Sequence, residues 1–257
     1  MKAIILNSGL GNRMGDLTKD KPKCLVALSQ GETILSRQVD FLERNNIKEI
    51  IITTGPFEEM IKDYLNNLYG HKDDIKLTYI RNDLYDSTNY IYSLYLAKEA
   101  VIGSPQKEMA GLNSKNHNGE EEILLMHGDL VFTDAGPLKL LNSPVKDAVL
   151  VDSSPQIPEK DFKCRIKDGI ITEIGVDVFG DDCRFLFPMY RLKLASYSKW
   201  LHAMEDFVAA GKTGVYAENA LNKILETTPL RPVYYKDDFC AEVDDVEDLK
   251  TAIKMLY

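Results

Sequence analysis

The sequence has 257 residues, of which 44% are hydrophobic and 28% charged, and it carries a formal net charge of −9 at pH 7. The acidic balance argues against a protein that binds a nucleic-acid backbone, and no apolar run approaches the ~20 residues of a membrane-spanning helix. The four cysteines include no C-x-x-C pair, so neither a disulfide framework nor a cysteine metal site is expected. Together with an N-terminus that lacks a signal-peptide pattern, this cysteine usage predicts a cytoplasmic protein without a membrane partner.

A buried strand followed by a glycine-rich loop opens the chain. Residues 3–6 are apolar without alternation, which predicts a strand covered on both faces of a sheet. Gly9, Gly11 and Gly15 then permit backbone angles and close approaches that a Cβ would block. The N–H groups of this loop can therefore turn toward an anion.

Two basic side chains accompany the loop. Arg13 offers a fork of donors suited to phosphate oxygens, and Lys23 follows a proline that stiffens its approach. The spacing fits neither the G-x-G-x-x-G dinucleotide fingerprint, because Met14 stands at the third glycine position, nor the G-x-x-x-x-G-K-[ST] loop of ATPases. A loop whose glycines serve only the turn is the alternative, and the two basic residues favour phosphate binding over it.

Strands and helices alternate after this loop. Apolar spacing predicts a helix over residues 32–46, a strand over 47–54, a helix over 58–69 and a short strand over 77–80. This order indicates right-handed βαβ units around a parallel sheet.

A polar cluster then opens another helix. Thr88 and Asn89 stand at its start, and Ser93 follows one turn later. Thr88 or Asn89 could serve only as the helix N-cap. Alternatively, these hydroxyls and amides recognise the edge of a pyrimidine.

The second half of the chain is predicted from the same patterns. Residues 103–122 are polar and aperiodic and are expected to form a surface loop. The further predicted elements are strands over 123–126, 145–151 and 185–190, a hairpin over 164–175, and helices over 193–210, from 216, and over 245–257.

One aspartate stands where ligands of open α/β sheets gather, and a second precedes the last helix. Asp129 follows the strand over 123–126, although it could instead cap the next turn. Asp244 precedes the last helix, and with Glu247 it could form a capping box. No Ser-His-Asp or Cys-His set accompanies them, and His127 is assigned to packing. Such a set of residues suits a transfer of phosphoryl type, which needs positioning and charge neutralisation more than covalent chemistry.

Two strings of residues carry a resemblance to a known family. Residues 6–23 match L-N-S-G-x-G-x-R-M-G-x-x-T-x-x-x-P-K, which resembles the signature of nucleotidyltransferases that activate sugar phosphates, phosphocholine and small phosphonates. Residues 82–94 match N-x-x-Y-x-x-T-N-x-x-x-S-L, which resembles a segment of phosphocholine and phosphonate cytidylyltransferases. Asn7 departs from the family, which usually has a small residue there, and this departure bears on the base pocket.

The resemblance implies a fold and a site. The fold is a Rossmann-like α/β structure, a mixed and mainly parallel sheet flanked by helices, as in the nucleotide-diphospho-sugar transferases. The catalytic set is Lys23, Arg13 and the two aspartates Asp129 and Asp244, which would hold Mg²⁺. The implied nucleotide-binding residues are Leu6, Asn7, Ser8, Gly9, Gly11, Arg13, Lys23, Thr88, Asn89 and Ser93.

Acceptor binding is expected from the middle of the chain. The resemblance points to Glu218 with Asn219, near a cationic head group, to Lys160 for the acceptor phosphate, and to Tyr190 as an aromatic neighbour. A solvated loop at Lys160 and an ordinary first helical turn at Glu218 and Asn219 are the plainer interpretations.

The resemblance therefore implies a Mg²⁺-dependent cytidylyltransferase that uses CTP and either 2-aminoethylphosphonate or phosphocholine. A sugar-1-phosphate nucleotidyltransferase and a non-catalytic nucleotide-binding regulatory subunit are the alternatives. One domain is predicted over residues 1–257, with nucleotide binding in roughly 1–150 and acceptor binding in roughly 151–240. The chain could form a homodimer.

Overall fold

The computed structural model describes residues 1–103, 121–155 and 157–257. Its strands are β1 (Lys2–Asn7), β2 (Ala27–Ser29), β3 (Glu32–Thr33), β4 (Glu49–Thr54), β5 (Lys76–Arg81), β6 (Glu122–His127), β7 (Leu130–Phe132), β8 (Ala148–Asp152), β9 (Lys163–Lys167), β10 (Ile170–Gly175), β11 (Cys183–Lys193), β12 (Arg231–Tyr235) and β13 (Cys240–Glu242). Its α-helices are α1 (Ile34–Arg44), α2 (Glu58–Tyr69), α3 (Tyr90–Leu96), α4 (Lys98–Ile102), α5 (Ala135–Asn142), α6 (Leu194–Ala209), α7 (Ala217–Leu221) and α8 (Val246–Leu256). Short 3₁₀ helices lie over Asn12–Thr18 and Lys23–Leu25.

A nine-stranded mixed sheet organises the chain. β1 pairs in parallel with β4 and β6, and β4 pairs in parallel with β5. β11 runs antiparallel to both β6 and β8, and β12 pairs in parallel with β8. The hairpin β9–β10 joins the start of β11. The predicted fold class is confirmed. The sheet contains strands from both predicted parts of the chain, residues 1–150 and 151–240. The division into a nucleotide-binding and an acceptor-binding part stays a prediction.

Both faces of the sheet are covered by apolar side chains. In β1, Ile4 packs into one buried cluster, which contains Trp200, and its neighbour Ile5 packs into another, which contains Phe41. This alternation is the reason that residues 3–6 of the strand are all apolar. A third cluster packs the last helix against the glycine-rich loop, through Met14 and Leu249 among others.

The predicted elements agree with the structure apart from their ends. The helix predicted over residues 32–46 begins at Ile34, because Thr33 caps it: its hydroxyl accepts from the Ser36 N–H at 3.1 Å. The predicted helix over 58–69 has the bounds of α2, and the predicted hairpin is β9–β10. The surface loop predicted over 103–122 lies mostly outside the described residues, and Glu122 belongs to β6. Among the described residues, none of the helices is long and apolar enough to cross a membrane.

The hydrogen bonds of Glu58 should make the stability of the folded chain depend on pH. Its carboxylate accepts from the Thr54 hydroxyl at 2.5 Å and from the Lys62 ammonium at 2.6 Å. Burial disfavours the ionised form, but these two hydrogen bonds outweigh it and hold the pKa of Glu58 below its ordinary value of 4.5. We expect Glu58→Gln to lower the free energy of unfolding by about 1 kcal/mol at pH 7.

Because the folded state lowers this pKa, the stabilisation is present above pH 4.5 and is lost as the pH falls through the lowered value. Denaturant unfolding of both proteins between pH 7 and pH 3 measures it. Glu59→Gln is the control, since Glu59 contacts the same lysine from an exposed position. A difference between Glu58→Gln and the parent chain that stays constant with pH would contradict the assignment.

Candidate active site

A cavity of about 350 Å³ opens at the carboxyl ends of β1 and β6. Its walls are the glycine-rich loop, the segment around Lys23, the start of α3 and the residues that follow β6 and β13. Every residue assigned from the sequence to nucleotide or metal binding lines this cavity. The cavity therefore lies where ligands of open α/β sheets bind.

An ion cluster occupies one end of the cavity. The Lys23 ammonium lies 2.6 Å from Oδ2 of Asp129 and 3.2 Å from Oδ1 of Asp244. The Arg13 guanidinium contacts the same Asp244 oxygen at 2.8 Å. Burial opposes the charge on Lys23, yet the two carboxylates outweigh it and raise the lysine pKa above 10.5. Burial likewise opposes ionisation of Asp129, and Lys23 nevertheless holds the pKa of that carboxyl below 3.8.

A short two-stranded ladder brings the aspartates together. β13 pairs antiparallel with β7, with Glu242 opposite Leu130, and the Val243 N–H donates to the Asp129 carbonyl at 3.0 Å. The capping role considered for Asp244 belongs to its neighbour: Asp245 is the N-cap of α8 and forms a capping box with Asp248. The Asp244 carboxylate consequently faces the two basic residues instead of the helix.

The glycine-rich loop packs directly onto Lys23. Gly11 has a φ of 69°, and a Cβ on it would come within 2.8 Å of the Lys23 Cβ. The Thr18 hydroxyl donates to the Gly11 carbonyl at 2.9 Å and closes the turn. The loop geometry therefore depends on a residue without a side chain at position 11.

Asn7, which departs from the family pattern, packs against Gly128, a residue without a side chain. A Cβ on Gly128 would lie 1.8 Å from the Asn7 Oδ1 and 2.4 Å from the Leu6 carbonyl oxygen. The carboxamide of Asn7 thus fills the space beside the end of β6. Its buried Nδ2 has no hydrogen-bond partner among the described residues.

His127 does more than pack, which is where the sequence assignment fell short. Its ring lies 4.7 Å from that of Tyr90, and its Nδ1 is 3.8 Å from Oε2 of Glu242. Burial raises the pKa of Glu242 to about 7, whereas Glu242 raises the pKa of His127 against the effect of burial. Ligand atoms of His127, Asp129 and Glu242 all lie within 4.8 Å of one another, so this group could also hold a metal ion.

Asn82, which is not among the predicted site residues, connects the polar side chains at the start of α3 by hydrogen bonds. Its carboxamide donates to the hydroxyls of Thr88 at 3.0 Å and Ser93 at 3.1 Å. Asn89 is the N-cap of α3, accepting from the Tyr90 N–H at 2.7 Å. The capping interpretation therefore holds for Asn89, which nevertheless lines the cavity.

The predicted acceptor residues do not share one surface. Glu218 is buried, and its carboxylate accepts from the hydroxyls of Tyr190, at 2.8 Å, and Tyr90. The Tyr190 ring lies in the core against Trp200, at 5.5 Å between centroids, and is therefore not a wall of the cavity. Lys160 and Asn219 are exposed and lie outside the cavity wall.

A group of aromatic rings surrounds Tyr90, which is hydrogen-bonded to the buried Glu218. Tyr90 and Tyr216 lie 5.8 Å apart, and Phe162 contacts Tyr216 at 5.1 Å and His127 at 6.0 Å. Burial, followed by the charge of Glu218, raises the pKa of Tyr90 well above 10, so its hydroxyl stays a donor. The negative charge of Glu218 therefore lies next to the cavity, close to an aromatic residue of its wall.

The fold and the cavity define a class of protein. A glycine-rich loop after β1, a lysine and an arginine beside it, and two convergent aspartates form the arrangement of a nucleotidyltransferase. The model of the MobA-like NTP transferase domain matches residues 3–158, and the chain belongs to that family. The resemblance found in the sequence is thereby confirmed.

Curated relatives include two cytidylyltransferases. The chain is 30% identical over 154 residues to a CTP:phosphoglutamine cytidylyltransferase of Campylobacter jejuni, covering 60% of this chain and 53% of that protein. It is 41% identical over 104 residues to a choline-phosphate cytidylyltransferase of Streptococcus pneumoniae, covering 40% of this chain and 42% of that protein. The matches thus span about half the length of these relatives.

A solved structure extends the likeness of fold over the whole chain. The CTP:phosphocholine cytidylyltransferase of Streptococcus pneumoniae superposes with a TM-score of 0.77 at 23% identity, covering 100% of this chain and 99% of that one. At this identity the likeness shows the fold.

The contact between Gly128 and Asn7 generates a prediction. We expect Gly128→Ala to lower the free energy of unfolding by about 1–3 kcal/mol, because its Cβ overlaps the Asn7 side chain and the Leu6 carbonyl. Gly9→Ala is the matched control in the same cavity, since a Cβ there meets nothing within 4 Å. Adding Asn7→Ala to Gly128→Ala should recover part of the loss. Equal denaturant midpoints for the two glycine variants would contradict this account.

Proposed function

We propose that the chain transfers CMP from CTP to a small acceptor with a phosphate or phosphonate at one end and a cationic group at the other, releasing pyrophosphate. The ion cluster of Lys23, Arg13, Asp129 and Asp244 is the observation that carries the proposal. Three curated relatives support the base and the acceptor class, since their names specify phosphoglutamine, choline phosphate and a CMP-5′-aminopropylphosphonate product. All four residues line one cavity.

The carboxylates of the cluster suit a divalent cation. Asp129 and Asp244 share a single ammonium, and Oδ1 of Asp129 is buried without a hydrogen-bond partner among the described residues. Carboxylate oxygens are the ligands that Mg²⁺ prefers, so we propose that these two residues hold it. When bound, Mg²⁺ would neutralise phosphate charge and polarise the phosphorus centre.

The basic residues have a second set of partners once a nucleotide binds. In the structure, Lys23 and Arg13 form ion pairs with the aspartates. We propose that Arg13 and the loop N–H groups bind the β- and γ-phosphates and that Lys23 stabilises the charge that grows on the α-phosphate. The protein then supplies position and charge, which is what such a transfer needs.

The aromatic group around Glu218 supports a cationic acceptor. Tyr90 donates its hydroxyl to a carboxylate that is 1% exposed, and the Tyr216 ring lies 5.8 Å from the Tyr90 ring. A cation above these faces would gain from both the rings and the charge behind them. A neutral sugar would find no such match. This group therefore favours an aminophosphonate, phosphocholine or a similar acceptor over glucose 1-phosphate.

Pyrophosphate release with CTP and Mg²⁺ tests the proposal. The acceptor panel is 2-aminoethylphosphonate, phosphocholine, phosphoethanolamine, phosphoglutamine and glucose 1-phosphate. Turnover with CTP and a cationic acceptor supports the proposal and names the substrate. Turnover with glucose 1-phosphate alone overturns the acceptor class. Binding of CTP without turnover of any acceptor overturns the enzymatic proposal in favour of a nucleotide-sensing role.

Lys23 generates the prediction about catalysis. We expect Lys23→Ala to lower kcat on the order of 10²-fold or more, because a positioned charge at the reacting phosphate is lost. Lys139→Ala is the control, since Lys139 pairs with Asp238 away from the cavity walls. Steady-state kinetics on the substrate pair found by the panel measures the effect. An unchanged kcat in Lys23→Ala would remove the assignment.

Glu218 generates the prediction about the acceptor. We expect Glu218→Gln to raise KM for a cationic acceptor about tenfold while the Kd for CTP stays the same. Glutamine keeps the shape and removes the charge: its carbonyl oxygen accepts from one of the two tyrosine hydroxyls, and its amide nitrogen donates to the oxygen of the other. Glu173→Gln on the exposed hairpin is the control. A KM that does not respond to the loss of this charge would show that the cationic group binds elsewhere.

A further inference from the structure

The turn that carries Asp129 is held in place by three neighbouring segments. In β1, the Leu6 carbonyl accepts from the Gly128 N–H at 3.0 Å. After β13, the Val243 N–H donates to the Asp129 carbonyl at 3.0 Å. The third segment is helix α1, which reaches the turn through the side chain of Gln38. A substitution can remove this last contact while the two backbone contacts stay.

Gln38 forms hydrogen bonds on both sides of the pair Gly128 and Asp129. Its Nε2 donates to the His127 carbonyl at 3.0 Å and to the Leu130 carbonyl at 2.9 Å. A carboxamide nitrogen carries two protons and does not accept, so each proton meets one carbonyl and the direction of both bonds is fixed. One nitrogen atom therefore holds the two ends of the turn together.

The oxygen of the same carboxamide indicates why a glutamine stands at this position. Gln38 is fully buried, and its Oε1 has no hydrogen-bond partner among the described residues. Burying an unpaired oxygen costs free energy, so an apolar side chain would pack here at a lower cost. The glutamine is therefore explained by what its nitrogen holds, which is the turn that carries Asp129.

The position of this turn matters for a metal ion. Asp129 and Asp244, the proposed Mg²⁺ ligands, come from separate segments, one after β6 and the other after β13. Mg²⁺ binds oxygen at about 2.0–2.1 Å in a nearly ideal octahedron, so it tolerates little error in the placement of either carboxylate. Groups that orient metal ligands by hydrogen bonds affect metal affinity for this reason.

We propose that Gln38 is a positioning residue for the metal site: its carboxamide fixes the His127–Leu130 turn and thereby places the Asp129 carboxylate for Mg²⁺. The inference rests on the proposed function, namely on the metal ion that Asp129 and Asp244 would hold. Gln38 is buried and is not part of the cavity wall, so it acts through the turn and not on a ligand.

Gln38→Met tests the proposal, because it keeps the length of the side chain and removes both donors. The Kd for CTP is measured by calorimetry without acceptor substrate, once with excess Mg²⁺ and once with EDTA. We expect the ratio of the EDTA value to the Mg²⁺ value to fall about tenfold, because a displaced carboxylate holds the metal ion less well. The Kd in EDTA should stay the same, since the glycine-rich loop is untouched.

Gln38→Glu is the second variant, and it also serves if the methionine variant does not fold. A carboxyl group donates at most one hydrogen bond, so at least one of the two carbonyls loses its partner. The ratio should fall in this variant as well.

Arg37→Met is the matched control. Arg37 is the preceding residue of α1, and its Nε donates at 2.8 Å to the carbonyl of Phe132, the last residue of β7. Its loss disturbs the packing of α1 on β7 but leaves the turn at Asp129 bonded, so the ratio should stay unchanged. If Gln38 were only a structural contact between helix and strand, both variants would have the same effect on the ratio. This result would overturn the proposal.

The parent chain separates the inference from the proposed function. If Mg²⁺ tightens CTP binding to the parent chain and the ratio in Gln38→Met equals the parental ratio, the inference alone is overturned. If the affinity of the parent chain for CTP does not respond to Mg²⁺, the metal assignment of Asp129 and Asp244 is overturned, and the inference falls with it.

Discussion

The contact of Lys23 with two aspartates is the interaction on which the site depends. Asp129 and Asp244 carry like charges in a largely buried place, and the ammonium between them, together with Arg13, offsets their repulsion. The glycine-rich loop is shaped to allow this approach, because Gly11 packs against the stem of the lysine. An acidic chain thus places two basic side chains together at one end of the cavity. The same charges hold the ligand-free site together.

The two walls of the cavity offer a ligand different kinds of interaction. The wall at Arg13 and Lys23 uses full charges, which act over distance and tolerate small displacements. The wall at Ser8, Thr88 and Ser93 uses neutral hydroxyls, whose value to a ligand depends on where each proton points. A third kind of group lies beside these walls, namely the buried carboxylate of Glu218 with aromatic rings near it.

Much of the fold was predictable because its signals are local. The unbroken apolar run of β1 and the glycines after it indicated a buried strand and an anion-binding loop without any tertiary information. The capping box at α8 was misplaced by one residue, since Asp244 with Glu247 and Asp245 with Asp248 satisfy the same sequence pattern. In the structure, the pair Asp245 and Asp248 forms the box.

Other features depend on contacts between distant segments. Tyr190 lies in β11 facing the core, so the sequence could place it near Glu218 but not tell its hydroxyl contact from a role in the cavity wall. Asn82 opens the string over residues 82–94 but was assigned no role, because its contacts with Thr88 and Ser93 exist only in the folded chain. The pairing of Asn7 with Gly128 is of the same kind: neither position explains the other until β1 and β6 lie side by side.

The ladder between β7 and β13 also has a consequence for the order in which the protein is made. Lys23 is separated by 106 positions from Asp129 and by 221 from Asp244, so the second carboxylate leaves the ribosome long after the first. The parallel strands at the N-terminal end can pair while Asp244 is still unsynthesised. An unfinished chain would therefore hold a lysine with one aspartate and an incomplete cavity. The pair of carboxylates around Lys23 is consequently completed late, when the C-terminal segment docks.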